Sequence, residues 1–202
     1  GTGYVPRGDF VVADRVVDVA QYPAVLTTLW LGVLNNDAEI ETTGTSEDQQ
    51  TYRIVGDPTE GSLLVAAAKA GALHIEIDKA YPRENEVPFD SERKRMITIH
   101  NVSAPNPADP SPFQNNKMKD WDVIAVKGAP DVVLGLCSQY QAMNDETRPL
   151  DEAGRQRILA ANDAMTRDAL RVLGLAYRVE KDVPDNPEDI KTEHLEKDLV
   201  FV

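Results

Sequence analysis

The order of strand-type and helix-type segments constrains the fold of this chain more than any other feature of its sequence. Segments rich in β-branched and apolar residues, such as 51–55 and 121–126, are separated by segments of helical periodicity, such as 151–170. The two types alternate at irregular intervals, without the regular spacing of βαβ units. The sequence therefore predicts an α+β fold, with a mainly antiparallel β-sheet flanked by helices.

Two helices have clear signals at their ends. Pro23 opens a segment whose apolar residues recur at helical spacing, and proline suits the first turn of a helix. A second helix begins with Asp57 as the N-cap and Pro58 at the first helical position, and Gly71 predicts its end. Glu60 is placed to complete a capping box with Asp57.

The chain is long enough for one well-packed domain, and we expect that domain to span residues 1–202. Residues 9–17 predict one strand near the start. Residues 104–118, dense in Pro, Asn and Ser, predict a long exposed loop. The apolar residues 198–202 predict a strand with no turn signal after it, as expected of a domain excised from a longer protein.

The charge balance excludes several classes of partner. The chain has 21 Lys and Arg against 34 Asp and Glu, a net charge of -13. So acidic a surface repels nucleic acid and anionic lipid, and we expect contact with neither. Neither of the longest weakly polar runs, 24–34 and 63–73, approaches the roughly 20 residues that cross a bilayer. A single cysteine, Cys137, excludes an internal disulfide and fits the cytosol.

Several self-contained chemistries fail on the sequence. Residues 56–61 have the glycine spacing of a phosphate-binding loop, but Ser62 stands where that loop needs lysine, so a helix cap is the better interpretation. The three histidines are far apart, which argues against a metal site. Cys137 lies among apolar residues, which predicts an inert core thiol rather than a nucleophile. A binding role is the remaining expectation.

Three segments stand out because they place aromatic or basic residues at positions that suit ligand binding. Phe89 precedes a cationic run, 93–95, in an otherwise acidic chain. Lys127 and Gly128 follow a buried-type strand, where a backbone can approach a ligand closely, and Arg171 precedes another apolar strand. An aromatic face with Lys and Arg suits a nucleotide. From composition alone, a core Phe with scattered solvated charges is the favoured explanation of these residues.

Four segments, taken together, resemble one known family. GDPTEGSLL at 56–64, PFDSERKRM at 88–96, VKGAPDVVLGLC at 126–137 and LRVLGLAYR at 170–178 occur in this order. They are similar to the signature segments of the nucleotide-binding domain of P-type ATPases, and most similar to its calcium-pump-like subfamily. The resemblance covers nearly the whole chain.

The resemblance implies a role for each residue of an adenine-binding pocket. Phe89 would stack on adenine, and Glu60 would face the adenine amino edge, a role that competes with its place in the capping box. Lys94 would lie deep in the pocket near the base and ribose. Met96 and Leu173 would line the wall.

The remaining implied roles belong to the mouth of the pocket. Lys127 would stand at the mouth, and Gly128 would leave room for the adenine ring. Arg171 would reach the ribose or phosphate side. Arg93 and Arg95 flank the motif and would point to solvent.

Two positions depart from the family pattern. Ser91 stands where the calcium pump of muscle has an Arg two residues after the aromatic residue, which implies a weaker phosphate contact. Residues 35–37 replace a cysteine-containing version of that segment, a change that we expect to be neutral.

The resemblance implies the ATP-binding domain of a P-type cation-transporting ATPase, a cytoplasmic domain of an integral membrane protein. ATP or ADP would be its ligand, and the phosphorylation and actuator domains of the same chain its partners, the domain itself being monomeric. Mg²⁺ would be bound mainly outside this domain. The family's DKTGT and TGDGxND motifs do not occur here, so the 202 residues should not turn over ATP. The subfamily suggests Ca²⁺ as the transported ion, and Mg²⁺, Na⁺ and Mn²⁺ are the alternatives.

Two other functions remain open at this level. The acidic surface also suits an interaction domain that docks a basic partner without binding nucleotide. A soluble phosphotransferase with an unrecognised site is the third possibility.

Overall fold

A computed structural model describes residues 3–44, 50–72, 74–102, 121–181, 183–184 and 189–202. Within these residues the strands are β1 Phe10–Val12, β2 Arg15–Val17, β3 Glu39–Thr43, β4 Thr51–Val55, β5 Arg83–Asp90, β6 Arg95–Asn101, β7 Asp122–Gly128, β8 Cys137–Gln141, β9 Thr147–Pro149, β10 Gly174–Glu180 and β11 Leu199–Phe201. The helices are α1 Pro23–Leu34, α2 Pro58–Lys69, α3 His74–Ala80, α4 Pro130–Gly135, α5 Glu152–Arg167 and α6 Thr192–Leu195. The predicted loop 104–118 lies outside the described residues.

Seven strands form the main sheet, in the order β5-β6-β7-β10-β11-β8-β9. Neighbouring strands are antiparallel except β11 and β8, which are parallel. Two further antiparallel pairs, β1-β2 and β3-β4, stand apart from this sheet. The prediction of an α+β fold with a mainly antiparallel sheet and flanking helices is confirmed.

The main sheet separates two hydrophobic clusters, because successive side chains of a strand point to opposite faces. On one face the apolar residues of α1, α2 and α3, including Trp30 and Leu64, pack against Val123, Ala125 and Leu175. On the other face α4, α5 and α6 cover a second set of apolar residues: Ile97, Ile99, Ile124, Val126 and Ala176. We call these the α1–α2 face and the α4–α6 face.

The start of the chain differs from its prediction. The single strand expected over residues 9–17 is a hairpin, in which Phe10 pairs with Val17 and the chain turns at Ala13 and Asp14. Both turn residues have positive φ, 48° and 63°, as a two-residue hairpin turn requires. The turn was not predicted because it lacks glycine and lies within a run of β-branched residues.

The end of α5 also differs, since the helix stops at Arg167 rather than continuing to residue 170. Ala169, with φ 57°, takes the left-handed conformation that commonly ends a helix. The strand expected over 198–202 is present as β11. No helix among the described residues combines the length and the apolar character that crossing a membrane demands.

Candidate functional site

Three neighbouring strands of the main sheet bring the predicted site residues to one edge. Met96 of β6 pairs with Lys127 of β7, and Gly128 pairs with both Arg95 of β6 and Gly174 of β10. The start of β6, the end of β7 and the start of β10 therefore lie side by side. Residues far apart in the sequence meet there because antiparallel pairing reverses the chain at each step.

A β-bulge in β5 sets the position of Phe89. Val87 pairs with Ile97 and Asp90 with Arg95, so Pro88 and Phe89 together stand opposite Met96. A bulge of this kind re-aims side chains, and bulges are common beside functional sites. Phe89 is 64% exposed, although it stands across from Met96, which is almost completely buried. The edge thus offers a free aromatic face.

An ion pair between Lys127 and Glu60 lies on the α1–α2 face at this edge. Lys127 Nζ is 2.6 Å from Glu60 Oε1, with the two side chains 8% and 17% exposed. The ammonium also donates a hydrogen bond to the backbone carbonyl of Asn35. Burial lowers the pKa of Lys127, and the hydrogen bond to Glu60 opposes that shift.

The segment 35–37, which we expected to be neutral, builds much of this site. Asn35 Nδ2 donates to the carbonyl oxygens of Met96 at 3.1 Å and Ala125 at 2.8 Å, fixing the end of α1 against the sheet. Asn36 Nδ2 donates to the Glu60 carbonyl at 3.0 Å. The Asp37 N–H donates to Glu60 Oε2 at 3.2 Å.

That the replacement is neutral stays a prediction, but the segment itself contacts the site. The available signal was a pair of adjacent asparagines directly after an apolar helix. Polar side chains that fold into the interior need internal partners.

Glu60 is not the acid of a capping box. Asp57 Oδ1 accepts from the N–H groups of Thr59 at 2.7 Å and Glu60 at 3.3 Å, so the predicted N-cap of α2 is confirmed. The Glu60 carboxylate accepts instead from Lys127 and from the Asp37 N–H. Of the two roles expected for Glu60, the structure excludes the capping box and not the contact to adenine.

Gly128 has a different use from the one that the resemblance implies. A Cβ built at this position would stand 2.4 Å from the Lys94 carbonyl oxygen and 2.8 Å from Arg95 Cβ. The same Lys94 carbonyl accepts a hydrogen bond from the Ala129 N–H at 3.0 Å. The glycine therefore admits the backbone of the β5–β6 turn, and that space is not available to an adenine ring.

Lys94 is exposed in this turn and has φ 54°, so the expectation that it lies deep in the pocket is wrong. Arg93 and Arg95 do not point to solvent, which corrects a second expectation. Arg95 Nε and Nη2 donate to Glu196 at 2.9 and 2.5 Å, and Arg93 Nη2 donates to the same carboxylate. Glu196 lies far along the sequence, directly after α6, so local sequence carried no sign of this pairing.

Arg171 and Leu173 precede β10 and differ in their surroundings. Arg171 is exposed and lies close enough to the start of α2 to act on Asp57. Hydrogen bonds from Thr59 lower the pKa of Asp57, and the Arg171 charge adds to that effect. Leu173 lines a cavity of about 320 Å³ beside α5, with Ile158 and others. None of the other seven predicted residues lines that cavity.

The structure thus brings Glu60, Phe89, Met96, Lys127 and Gly128 to one edge, with Lys94 and Arg171 exposed at its rim. Among the residues described, no group of three or more His, Cys, Asp or Glu side chains could hold a metal ion. Cys137 is buried, and burial raises the pKa of its thiol to about 12, as expected of a core thiol.

Residues 25–202 match the protein family described as P-type ATPase, cytoplasmic domain N. The chain is 33% identical over 189 residues to a probable cation-transporting ATPase F of Mycobacterium tuberculosis, which covers 92% of this chain and 18% of the relative. It is 33% identical over 172 residues to a calcium-transporting ATPase of Listeria monocytogenes, covering 85% and 16%. A calcium-transporting ATPase of Bacillus subtilis is 31% identical over 207 residues, covering 100% and 20%. The chain spans about a fifth of the length of these relatives.

Proposed function

Because the chain belongs to the family of P-type ATPase cytoplasmic N domains, we propose that it binds ATP for a cation-transporting ATPase of which it is one part. In this proposal it presents ATP to an aspartate in a phosphorylation domain outside these 202 residues. One observation carries the proposal: an exposed aromatic face, Phe89, stands across from Met96 at the sheet edge that holds the buried Lys127–Glu60 pair.

The adenine end of the site is the better formed. An exposed phenyl ring stacks on a base, and each such stack contributes about 1–3 kcal/mol. The Glu60 carboxylate accepts two hydrogen bonds here. A carboxylate has about four lone-pair positions, so Glu60 can still accept from the adenine amino group. Lys127 holds that carboxylate in place and supplies a cation at the same edge.

The phosphate end rests on fewer groups. Lys94 and Arg171 are exposed cations at the rim, and Ser91 adds no third one. Arg93, in the same turn, is paired with Glu196. Because few groups are available to bind phosphate, we expect most of the binding energy to come from the base.

In the longer protein, the terminal phosphoryl group would pass to an aspartate carboxylate oxygen as its bond to ADP breaks. Transfer of this kind depends on positioning and charge neutralisation, and Mg²⁺ supplies the latter. This chain contains neither the DKTGT nor the TGDGxND motif, so it binds nucleotide without turning it over. Its further partners are the phosphorylation and actuator domains, and the transported cation is selected elsewhere, on a membrane part.

ATP titration followed by amide chemical shifts tests the proposal directly. We expect shifts at the sheet edge, and we expect Phe89→Ala and Lys127→Ala each to weaken binding by about tenfold or more. Val16→Ala is the matched control, because Val16 is 68% exposed on the separate β1-β2 hairpin. Unchanged shifts in both site variants would exclude this site. Phosphate release by the purified chain would favour a phosphotransferase instead.

Comparing nucleotides tests which end of the site dominates. If the base provides most of the binding energy, adenosine, ADP and ATP bind within about tenfold of each other, or about 1.4 kcal/mol. Isothermal titration measures the three dissociation constants. A strict requirement for the terminal phosphate would contradict the uneven site described above.

A further inference from the structure

Arg83, the first residue of β5, grips the segment that follows α1. Its Nη2 donates to the Asn36 carbonyl oxygen at 2.6 Å and to the Leu34 carbonyl oxygen at 3.4 Å. Its Nη1 donates to Asp37 Oδ1 at 2.8 Å and to Glu86 Oε2 at 2.7 Å. One guanidinium therefore connects β5 with both the backbone and a side chain of the segment.

Residues 34–37, which Arg83 binds, also hydrogen-bond both members of the buried ion pair. The Asn35 carbonyl accepts from Lys127 Nζ, and the Asp37 N–H donates to the Glu60 carboxylate. Asn36 also holds the Glu60 backbone through its side-chain amide. A shift of this short segment would therefore move the partners of Lys127 and Glu60 together.

We propose that Arg83 is a positioning residue of the candidate site, which fixes residues 34–37 and through them the Lys127–Glu60 pair. The inference rests on the proposed function, since the pair matters for binding only if nucleotide contacts it. Arginine suits the task because its planar fork bonds a carbonyl on one arm and carboxylates on the other. A lysine at this position keeps the charge without the fork.

Arg83 acts on Lys127 electrostatically as well. After burial, the Lys127 ammonium is influenced by the attracting carboxylates of Glu60 and Asp37 and by the repelling Arg83 guanidinium. Removing Arg83 removes the repulsion, and releasing the segment admits water. Both changes raise the pKa of Lys127, whereas a loosened hydrogen bond to Glu60 lowers it. A pKa shift in a variant that keeps the charge therefore gives a local measurement of the role.

The binding test compares Arg83→Gln and Arg83→Lys with Arg53→Gln. Arg53 is the matched control, because it is 74% exposed and its ion pair is with Glu41 on the β3-β4 hairpin. We expect both Arg83 variants to weaken ATP binding about tenfold, and the control to stay within about twofold. Wild-type affinity in Arg83→Lys would overturn the positioning role, because charge alone would then suffice. The Lys variant also keeps the proposal testable if the Gln variant does not fold.

A measurement without nucleotide separates this inference from the proposed function. The rate of Lys127 acylation as a function of pH, read by peptide mass spectrometry, reports the fraction of free amine. In Arg83→Lys, which keeps the charge, we expect the midpoint for Lys127 to shift because its partners move, and in Arg53→Gln to remain. An unmoved midpoint would contradict the positioning role even if ATP binds. If wild-type protein binds no ATP while the midpoint moves, the proposed function fails and the positioning stands.

Discussion

The two faces of the main sheet are built from alternate residues of the same strands and differ sharply in chemistry. On the α4–α6 face the central residues of β6 and β7 are apolar: Ile97, Ile99, Ile124 and Val126. On the α1–α2 face the same two strands bury Thr98, His100 and Lys127. Burying polar groups costs free energy unless each is bonded, so the second face is the more expensive to fold.

Thr98 and His100 of the α1–α2 face each hydrogen-bond a neighbouring element, although His100 Nε2 is buried without a partner among the described residues. Thr98 Oγ1 donates to the Leu34 carbonyl at 3.3 Å, and His100 Nδ1 donates to the Tyr81 carbonyl at 3.0 Å. Burial lowers the pKa of His100 to about 4, so it is neutral at neutral pH. Polar residues placed where apolar ones would fold more easily mark the face that carries the site. The α4–α6 face, in contrast, supplies stability.

The largest expected effect tests the stabilising face. Ile124→Ala removes a completely buried side chain from the α4–α6 face. We expect the free energy of unfolding to fall by about 3 kcal/mol, from lost burial and the cavity left behind. Urea denaturation measures the loss, and Val16→Ala, on the exposed hairpin, should change it by less than about 0.5 kcal/mol. ATP affinity of the folded variant should be unchanged; a large loss of affinity would show that the faces are not separable.

The second prediction tests the polar face with two matched substitutions. Glu60→Met leaves the Lys127 ammonium without its carboxylate, and should cost about 2 kcal/mol of unfolding free energy. Lys127→Met leaves Glu60 partly solvated and removes a buried charge, so it should cost less. The unfolding free energy of the double variant should be close to that of Lys127→Met alone, because no unpaired buried ammonium remains. Additive losses in urea denaturation would show that the pair is not coupled.

Local sequence patterns predicted most of the fold. The N-cap at Asp57 and the strand-type segments 51–55 and 121–126 are short-range signals, and the structure confirms them as the start of α2 and as β4 and β7. The hairpin at Ala13 and Asp14 was missed because alanine is not a usual residue for a left-handed turn and Asp14 alone is a weak signal. Turn chemistry without glycine or asparagine leaves little trace in a sequence.

The site was harder to predict than the fold, because its contacts join distant segments. Asn35 and Glu60 meet Lys127 across 92 and 67 residues, and Arg93 meets Glu196 across 103. Periodicity and capping rules describe neighbours along the chain and say nothing of such pairs. The motif resemblance named the residues without their geometry, which is why Lys94 and Gly128 were assigned the wrong surroundings.

The smallest expected effect concerns the charged end of the α4–α6 face. Burial tends to raise the pKa of Glu196, but hydrogen bonds from Arg95 and Arg93 outweigh it and lower the pKa below its ordinary 4.5. The unfolded chain then binds more protons than the folded one around and below that value. The stability from this carboxylate is therefore present above pH 4.5 and is lost as the pH falls through the lowered pKa.

Glu196→Gln should accordingly reduce the unfolding free energy at about pH 7 by on the order of 1 kcal/mol, with the difference from wild type shrinking by about pH 3. Urea denaturation across this range measures it. Glu41→Gln, which breaks the exposed pair with Arg53, should change stability by less than about 0.5 kcal/mol throughout. A difference for Glu196→Gln that stayed constant with pH would mean that packing, and not charge, joins the β5–β6 turn to the segment after α6. Apolar packing alone would then stabilise the α4–α6 face, including the end at which Glu196 lies.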